Sequence, residues 1–435
     1  GIFFIQAVFS QTDAFPQDMA KFISKLSKES IIDVVATVSK VETLVESATQ
    51  KDVELAISRI FTVSRAAALP IQVEDCMKGS QHDEEELEKL EGDEAADSKR
   101  SDLPKPIGQE NRLNNRVIDM RAPAQLSVFK IQSAMGRFFR EYLYTQDFTE
   151  IHTPKLIGAA SEGGAEIFEV KYFTGRAYLA QSPQLYKQMA VMGDLTRVFE
   201  IGPVFRAERS HTHRHLTEFV GLDIEMAISQ HYSEVLDVID QMFIYIFDSI
   251  EKHFKKELEN INAQYAFEPI VYNKTKNLRI AYPEAIALLR EDGIEIGDFD
   301  DINTAKEIRL GQLVKQKYNT DFYFLERFPM TARPFYTMPC PDDERYSNSY
   351  DIFLRGEEIS SGAQRIHDPE LLIKKATEKG VDMKPLMAYV DSFNYGSYPH
   401  AGCGIGLERI VMLYLGIGNV RKTCIWPRDP NRLTP

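Results

Sequence analysis

The sequence has little that would place the protein in a membrane or in an oxidising compartment. No apolar run among its 435 residues approaches the roughly 18–20 residues that a membrane-spanning helix needs. Residues 1–5 carry neither a basic flank nor a small-residue cleavage site, so they do not predict a signal peptide. Only four cysteines occur, and none forms a CxxC pair. This scarcity argues against a disulfide scaffold and predicts a cytoplasmic, reducing environment.

Basic residues are outnumbered by acidic ones, and the distribution of charge along the chain matters more than its total. The sequence holds 51 Lys and Arg against 65 Asp and Glu, a formal net charge of −14. As an average, this charge argues against a nucleic-acid partner, because phosphate binding requires a basic surface. However, residues 83–97 contain nine acids and one lysine and alone carry −8. The composition therefore excludes only a uniformly basic RNA-binding protein.

Composition divides the chain into three parts. Residues 1–77 contain strand-like runs at 31–38 and 53–63, which predict a small β-barrel such as an OB-fold, with other small β folds left open. The abrupt apolar start predicts that this module is truncated at its N-terminus. Residues 78–112 lose apolar periodicity and become acidic, as expected of a solvated linker or hinge. Residues 113–435 form the large domain.

The large domain mixes helical and strand-like periodicity. Apolar residues at helical spacing predict helices at residues 127–144, 234–259 and 369–379. Strand-like runs predict strands at residues 197–205, 220–226, 349–354 and 401–405. Groups of strands separated by helices indicate an α+β fold built on a largely antiparallel sheet.

A dense group of cations follows the predicted strand 197–205. An eleven-residue span from Phe205 to His215 holds three arginines and three histidines, and the sequence then returns to a strand-like run. A hairpin loop with so many cations is suited to holding phosphate, because a guanidinium grips two phosphate oxygens and stays charged at neutral pH. A solvated hairpin tip is the alternative for this loop considered alone.

Two further groups bear on ligand binding. Glycines alternate over residues 402–406, which leaves one strand face without side chains, so that a flat ligand fits and Arg409 reaches a phosphate at its edge. Leu407 stands where the dinucleotide-binding fingerprint requires glycine, so that fingerprint is absent.

Asp351 and Glu358 form a carboxylate pair of the kind that binds Mg²⁺ beside nucleotide phosphates, with ordinary surface acids as the alternative.

Together these groups resemble the sequence motifs of the class II aminoacyl-tRNA synthetases, in particular the aspartyl type of eukaryotes and archaea. Residues 131–154, which end at Pro154, resemble the dimer-forming motif 1, residues 205–223 resemble motif 2 and residues 402–409 resemble motif 3. The resemblance implies that residues 113–435 form a class II catalytic domain, with an antiparallel sheet and flanking helices. It also implies an N-terminal OB-fold that binds the anticodon, with Phe3 or Phe4 available for base stacking.

The resemblance further implies a ligase that uses ATP as substrate and Mg²⁺ as cofactor. L-Aspartate would be activated to aspartyl-adenylate and transferred to the 3′ end of tRNA(Asp). The catalytic residues would be Arg206 and Arg409. The residues implied for aspartate binding are Ser161, Glu162, Gln184, Lys187, Arg206, Asp223, Ser361 and Arg365. Among them, Lys187 and Arg365 would face the side-chain carboxylate, and two cations select a charged acid over its neutral amide.

The ATP-binding positions implied by the resemblance lie mostly in motifs 2 and 3. They are Arg206, Glu208, His213, Arg214, His215, Leu216, Phe219, Glu358, Gly404, Gly406, Leu407, Glu408 and Arg409, and the Mg²⁺ ligands would be Asp351 and Glu358. The resemblance also implies a cytoplasmic homodimer. The sequence leaves open whether the protein joins an assembly with other synthetases and whether it also charges asparagine tRNA.

Three functions other than aspartyl-tRNA synthesis stay open from the sequence. An asparaginyl-tRNA synthetase would share the fold and motifs, but the cations Lys187 and Arg365 speak against it. An asparagine synthetase related to the catalytic core would not need the N-terminal module. A non-catalytic tRNA-binding paralogue is expected to have lost motif residues, whereas Arg206, Glu208 and Arg409 are all present.

Overall fold

The fold is described from a computed structural model of the chain, for residues 2–9, 17–78, 107–158 and 167–435. These residues divide into two compact units, the first ending at Ser127 and the second running from Val128 to Pro435. No helix in the described ranges is long and apolar enough to cross a membrane. Two parts of the sequence reading, the acidic run 83–97 and the loop with Ser161 and Glu162, lie outside the described residues.

The first unit contains a small sheet and several short helices. Its strands are Ile5–Val8 (β1), Ile31–Lys40 (β2) and Gln50–Ser64 (β3), and its helices are Gln17–Ser24 (α1), Val73–Cys76 (α2), Gln109–Asn114 (α3) and Arg116–Asp119 (α4). The strand order is β1-β3-β2, with β2 antiparallel and β1 parallel to β3. This three-stranded sheet is open in the described residues, so the OB-fold barrel stays a prediction, as do the domain boundaries at residues 77 and 112.

The second unit is built on an eight-stranded sheet. Its strands are Thr149–Glu150 (β4), Arg197–Phe205 (β8), Glu218–Ala227 (β9), Leu278–Ala281 (β10), Phe322–Glu326 (β11), Ser349–Leu354 (β12), Glu357–Gln364 (β13) and His400–Gly406 (β14). The spatial order is β10-β11-β12-β13-β14-β9-β8-β4. All neighbouring pairs are antiparallel except β10 with β11 and β4 with β8, at the two edges. A smaller sheet is formed by Leu156–Ile157 (β5), Glu169–Tyr172 (β6) and Gly175–Leu179 (β7).

Helices accompany this sheet, and several of them pack on it through apolar faces. They are Pro123–Thr145 (α5), Gln184–Met192 (α6), Ser233–His253 (α7), Lys255–Asn262 (α8), Tyr282–Glu291 (α9), Thr304–Tyr318 (α10), Pro369–Glu378 (α11), Met387–Asn394 (α12) and Leu407–Tyr414 (α13). In α7, apolar residues recur every three or four positions. Phe243 packs against Phe322 of β11 with tilted rings and Phe247 packs against it edge to face, with ring centroids 5.1 and 5.5 Å apart. Helices α9 and α10 form a second apolar cluster with β10 and β11.

The predicted α+β class and its antiparallel sheet are confirmed. Strands β8 and β12 have the predicted bounds, and β9 and β14 extend one or two residues beyond theirs. The helix predicted at 234–259 is instead two helices, α7 and α8, because Phe254 between them leaves the helical region, with φ −122° and ψ 30°. This break lies between polar residues, where apolar periodicity gives little sign of it.

A close contact between two glycines fixes α10 against the sheet. Gly311 in α10 faces Gly356, which has φ +81° in the turn between β12 and β13. A Cβ added at Gly311 would lie 2.3 Å from the Cα of Gly356, and these are backbone atoms that cannot move aside cheaply. Helix α10 therefore lies closer to the sheet than any side chain at residue 311 would allow.

Gly311→Ala should therefore destabilise the second unit, although alanine is the better helix former. We expect a loss of about 2–3 kcal/mol in unfolding free energy, the usual cost of overpacking, measured by urea unfolding. Gly193→Ala is the matched control, because its added Cβ would meet only ordinary contacts at 3.4 Å or more. Equal stability of the two variants would contradict the proposed constraint.

Candidate active site

A cavity of about 490 Å³ lies over the middle of the large sheet, within the size range of ligand sites. Strands β8, β9, β13 and β14 supply part of its walls, and the hairpin β8–β9 carries the predicted cation-rich loop. Fifteen of the sequence-predicted site residues line it: Gln184, Arg206, Glu208, Arg214, His215, Leu216, Phe219, Asp223, Glu358, Ser361, Arg365, Gly404, Gly406, Glu408 and Arg409.

The other predicted residues lie elsewhere. Lys187 is buried behind the wall, Asp351 is buried on β12, and Leu407 is buried at the start of α13. His213 in the cation-rich loop contacts Glu357, with 3.5 Å between Nε2 and Oε2. Ser161 and Glu162 are outside the described residues. Pro154 lies between β4 and β5 and does not line the cavity.

Four buried charged side chains lie at the base of the cavity: Asp223 and Arg365 line it, and Lys187 and Glu225 lie behind them. Lys187 Nζ lies 3.1 Å from Asp223 Oδ1 and 3.4 Å from Glu225 Oε2, and it donates to the backbone carbonyl of Cys403 at 3.0 Å. Arg365 donates from Nε and Nη2 to the two oxygens of Glu225, at 3.0 and 3.2 Å. Burial alone would raise the pKa of Glu225, but the charges of Arg365 and Lys187 hold it below its usual range. Glu225 is therefore ionised and is paired with both cations.

The glycines of β14 make room for these carboxylates. Gly402 pairs with Glu225 and Gly404 pairs with Asp223 across the sheet. A Cβ at Gly402 would lie 2.4 Å from Oε2 of Glu225, and one at Gly404 would lie 3.1 Å from Oδ1 of Asp223. The sequence predicted that a flat ligand would lie against these glycines. Part of that space is instead filled by the carboxylates of Glu225 and Asp223. Gly404 and Gly406 also line the cavity.

A chain of buried hydrogen bonds leads from the cavity wall to His400. Gln184 donates to Gln188 at 2.9 Å, and Gln188 contacts Nε2 of His400 at 2.8 Å. Because Nδ1 of His400 lies 2.7 Å from the carbonyl of Tyr398, Nδ1 carries the proton and Nε2 accepts from Gln188. Burial lowers the pKa of His400 to about 4, so the ring is neutral at pH 7. This chain fixes the orientation of the Gln184 amide.

Arginines from motifs 2 and 3 dominate the other end of the cavity. The guanidinium of Arg206 lies 5.7 Å from the ring centroid of Phe219 and 3.8 Å from a carboxylate oxygen of Glu208. Arg409 is nearly buried and donates to the carbonyls of Glu358 and Arg214, both at 3.2 Å. These contacts hold two guanidinium groups and one aromatic ring around the same space.

One histidine of the loop, His215, contributes no positive charge at neutral pH. Burial, with the positive charges of Arg409 and Arg214, lowers the pKa of His215 to about 4. His215 is therefore neutral at pH 7 and acts only through hydrogen bonds, such as its 2.5 Å contact with Thr212. The permanent positive charge of this region comes from its arginines.

Two acidic side chains share a buried position beside the arginines. Burial, together with the negative charge of Asp351, raises the pKa of Glu358 to about 7. Asp351 contacts Arg333, with 2.9 Å between Oδ1 and Nη1. A divalent cation would stabilise the ionised form of Glu358 and would find a second carboxylate ligand in Asp351, so the residues fit Mg²⁺.

Sequence reasoning missed three residues of this site. Glu225 lies two residues after Asp223, and the strand alternation places both on one face of β9, a signal that was available. Arg333 lines the cavity and donates to Ser361 Oγ at 2.7 Å; its only sequence signal is a lone arginine in a proline-bounded segment. Glu307 contacts Arg214 at 3.2 Å. These two residues are 93 positions apart, so no local sequence pattern indicates that they are in contact.

The C-terminal segment holds the cation-rich loop in place. Arg421, in the turn Val420–Lys422, pairs with Asp429 at 2.7 Å and donates to the carbonyl of Thr212 at 2.9 Å. The amide of Val420 donates to the carbonyl of His213 at 2.8 Å. The loop is therefore fixed at its tip as well as by the two strands that flank it.

The fold and the cavity are those of a known enzyme class. A family model described as tRNA synthetases class II (D, K and N) matches residues 108–430. The chain belongs to this family.

Comparison with individual proteins narrows the assignment within the family. The cytoplasmic aspartate–tRNA ligase of Caenorhabditis elegans is 51% identical over 436 aligned residues, covering 100% of this chain and 80% of the relative. The human cytoplasmic enzyme is 50% identical over 434 residues, covering 100% and 83%. Among solved structures, the aspartyl-tRNA synthetase of Entamoeba histolytica matches with a TM-score of 0.89 and 51% identity, covering 100% of this chain and 85% of that one.

An asparaginyl enzyme is a more distant match. The asparaginyl-tRNA synthetase of Pyrococcus horikoshii, complexed with asparaginyl-adenylate, matches with a TM-score of 0.81 and 28% identity, covering 99% of this chain and 90% of that one. The fold is thus common to both specificities, whereas the high identities are to the aspartate enzymes.

His400 should make the protein sensitive to mild acid. Its pKa is lowered from 6.5 to about 4, so between these values the unfolded chain binds more protons and stability falls with falling pH. At 1.36 kcal/mol per pKa unit, the loss approaches about 3 kcal/mol near pH 4. His400→Asn keeps a donor for Tyr398 and should lose this part of the dependence, measured by urea unfolding between pH 7 and 4. Parallel curves for the wild type and the variant would contradict the assignment, and His152→Asn, at an exposed histidine, is the control.

Proposed function

We propose that the protein is an aspartate–tRNA ligase that activates L-aspartate with ATP and transfers it to tRNA(Asp). About 50% identity to curated aspartate–tRNA ligases over the whole chain supports this function. Those relatives are named as cytoplasmic, and we assign the same location here. The remaining question is how the residues of the cavity would perform the reaction.

Two buried cations at the base of the cavity, Lys187 and Arg365, support aspartate as the amino-acid substrate. Arg365 lines the cavity and uses Nε and Nη2 for Glu225, so Nη1 takes no part in that pair. Lys187 lies directly behind, bonded to Asp223. A substrate carboxylate would gain a charge-assisted bond from Arg365 and the attraction of Lys187 behind it, whereas a neutral amide would gain neither.

The first step is an in-line displacement at phosphorus. The α-carboxylate of aspartate forms a bond to the α-phosphorus of ATP while the bond to the bridging oxygen breaks, and pyrophosphate leaves. No protein nucleophile is needed, because positioning and charge stabilisation dominate phosphoryl transfer. Arg206 would bridge the attacking carboxylate and the α-phosphate and stabilise charge in the transition state. Asp223, Gln184, Ser361 and the loop residues Ser161 and Glu162 would hold the aspartate.

The nucleotide would occupy the arginine-rich end of the cavity. Phe219 would stack on adenine and Glu208 would bond to it, while Arg409, Arg214 and His213 would bind the β- and γ-phosphates. The backbone at Gly404, Gly406 and Leu407 would form the nucleotide-binding wall with Leu216, His215 and Glu408. Burial raises the pKa of Glu408 to about 7. Its side chain accepts from the amide of Val220 and thus supports the strand that carries Phe219.

Asp351 and Glu358 would hold Mg²⁺. The raised pKa of Glu358, caused by burial and by Asp351, supports this role, since a cation between the two carboxylates removes their repulsion. When bound, Mg²⁺ would neutralise charge on the phosphates of ATP. Within the chain, Arg333 orients Asp351 through its 2.9 Å contact.

The second step and the larger assembly follow the family pattern. The terminal ribose hydroxyl of tRNA attacks the carbonyl carbon of the mixed anhydride, and AMP leaves. The N-terminal sheet would belong to an OB-fold that binds the anticodon, with Phe3 and Phe4, both exposed, available for stacking. The motif 1 segment ending at Pro154 would form a homodimer interface.

Amino-acid specificity tests this function directly. ATP–pyrophosphate exchange should be stimulated by aspartate and not by asparagine or lysine, because only aspartate presents a carboxylate to Arg365 and Lys187. The measurement uses the full chain with radiolabelled pyrophosphate. Stimulation by asparagine would instead support the asparaginyl alternative, and silence with all three amino acids would support a non-catalytic paralogue.

Arg365→Leu should abolish aspartate activation and spare nucleotide binding. Losing the cation should lower aspartate-dependent exchange by about 10³-fold or more, the discrimination shown by sites left with unpaired buried groups. The dissociation constant for ATP, measured by calorimetry, should stay within about twofold, because Arg365 lies at the other end of the cavity.

Two further variants make this result interpretable. Arg365→Lys keeps the charge and should retain part of the exchange activity. Arg309→Leu removes an arginine from an ion pair with Asp292 outside the cavity and should behave as wild type. Unchanged turnover in Arg365→Leu would overturn the aspartate assignment.

A further inference from the structure

A carboxylate from outside the three motifs reaches the proposed phosphate site. Glu307 in the first turns of α10 accepts from Nη1 of Arg214, with 3.2 Å between Nη1 and Oε2. Thr304 in the same helix accepts from Nη2 at 2.6 Å. The side chains of Arg214 and Glu307 are only 18% and 12% exposed, so this ion pair is largely shielded from water. Both terminal nitrogens of Arg214 thus have partners from α10.

Helix α10 holds Glu307 at a fixed position. Asn303 caps the helix by accepting from the amide of Lys306. Leu310 and Val314 are fully buried in the cluster with β10 and β11. The close approach of Gly311 to Gly356 prevents the helix from shifting towards the sheet. Glu307 is therefore presented to Arg214 by a rigid element rather than by a mobile loop.

A carboxylate and a phosphate compete for the same guanidinium donors. Both accept two parallel N–H bonds from arginine, and both carry negative charge. Arg214 lines the cavity. Its backbone carbonyl accepts a hydrogen bond from Nη2 of Arg409 at 3.2 Å, so the two arginines are neighbours. In the proposed reaction Arg214 binds the β- and γ-phosphates, so a bound nucleotide and Glu307 approach one guanidinium from two sides.

We propose that Glu307 is a positioning residue that occupies Arg214 in the nucleotide-free enzyme and yields it, wholly or in part, to the terminal phosphates of ATP. The inference rests on the proposed function, in which this end of the cavity takes a nucleoside triphosphate. Glu307 keeps Arg214 extended across the cavity when no phosphate is present. Its negative charge also weakens the binding of the pyrophosphate group, which favours release of pyrophosphate after the first step.

The consequence is a change in affinity confined to ligands that carry the terminal phosphates. Glu307→Gln keeps the size of the side chain and one acceptor oxygen but removes the charge. The dissociation constants for ATP and for pyrophosphate should fall by about three- to tenfold, because the guanidinium donors of Arg214 then leave a neutral partner rather than a charged one. The dissociation constant for AMP should not change, because AMP has no phosphate at Arg214.

The test is calorimetric binding of ATP, pyrophosphate and AMP to the full chain. Asp292→Asn is the matched control, since it neutralises an acid paired with Arg309 of the same helix, at 2.6 Å, away from the cavity. In an Arg214→Met background, Glu307→Gln should lose most of its effect on ATP, because the charge acts through that arginine. Glu307→Ala, with an unfolding curve, serves as a second variant with the same expected direction.

The outcomes separate this inference from the function on which it rests. Tight ATP binding by the wild type with equal effects of Glu307→Gln on ATP and AMP, or with no effect on either, would overturn the role of Glu307 and leave the function standing. An effect on ATP that persists undiminished in Arg214→Met would overturn the action through Arg214. Failure of the wild type to bind ATP and pyrophosphate would contradict both.

Discussion

The pairing of four buried charges constrains the rest of the catalytic unit. Removing Lys187, Arg365, Asp223 and Glu225 from water costs several kcal/mol for each ion, and only close pairing with full hydrogen bonding offsets that cost. The pairing holds only while β9, β13 and β14 keep their register, since Glu225 fits opposite Gly402 and nothing larger. The register of these three strands and the base of the cavity thus depend on the same charge pairing.

The same balance explains how the site can be selective without being strongly charged in the free enzyme. Two cations face two carboxylates of the chain, so the cluster is neutral before a substrate arrives. In the proposed complex, the aspartate side chain adds a third carboxylate to two cations that are already rigidly placed by Glu225 and Asp223. Asparagine would occupy the same volume without adding charge, and the cations would keep only their internal partners. Discrimination then depends on preorganised geometry rather than on an excess of positive charge.

The sequence was sufficient to predict several strands of the large sheet and many of the residues that line the cavity, but not how the cations of the cavity pair with carboxylates of the chain. The strand 197–205 was predicted at its observed bounds because its composition and its flanking turns are local signals. Glu225 lay within reach of the same reasoning, since it shares a strand face with Asp223. The neutral state of His215 depends on burial, and the contact of Glu307 with Arg214 depends on chain segments 93 residues apart, so neither follows from local pattern.

Several cations of the cavity have a carboxylate partner from the chain itself, and this arrangement reconciles an acidic protein with phosphate chemistry. Arg206 pairs with Glu208, Arg214 with Glu307 and Arg333 with Asp351. An isolated cluster of arginines would repel itself and would bind any anion in solution. Internal carboxylates hold each guanidinium in position, and in the proposed complex the triphosphate would replace the contact of Glu307 with Arg214. An excess of acids over bases is therefore compatible with an enzyme whose substrates are all anions.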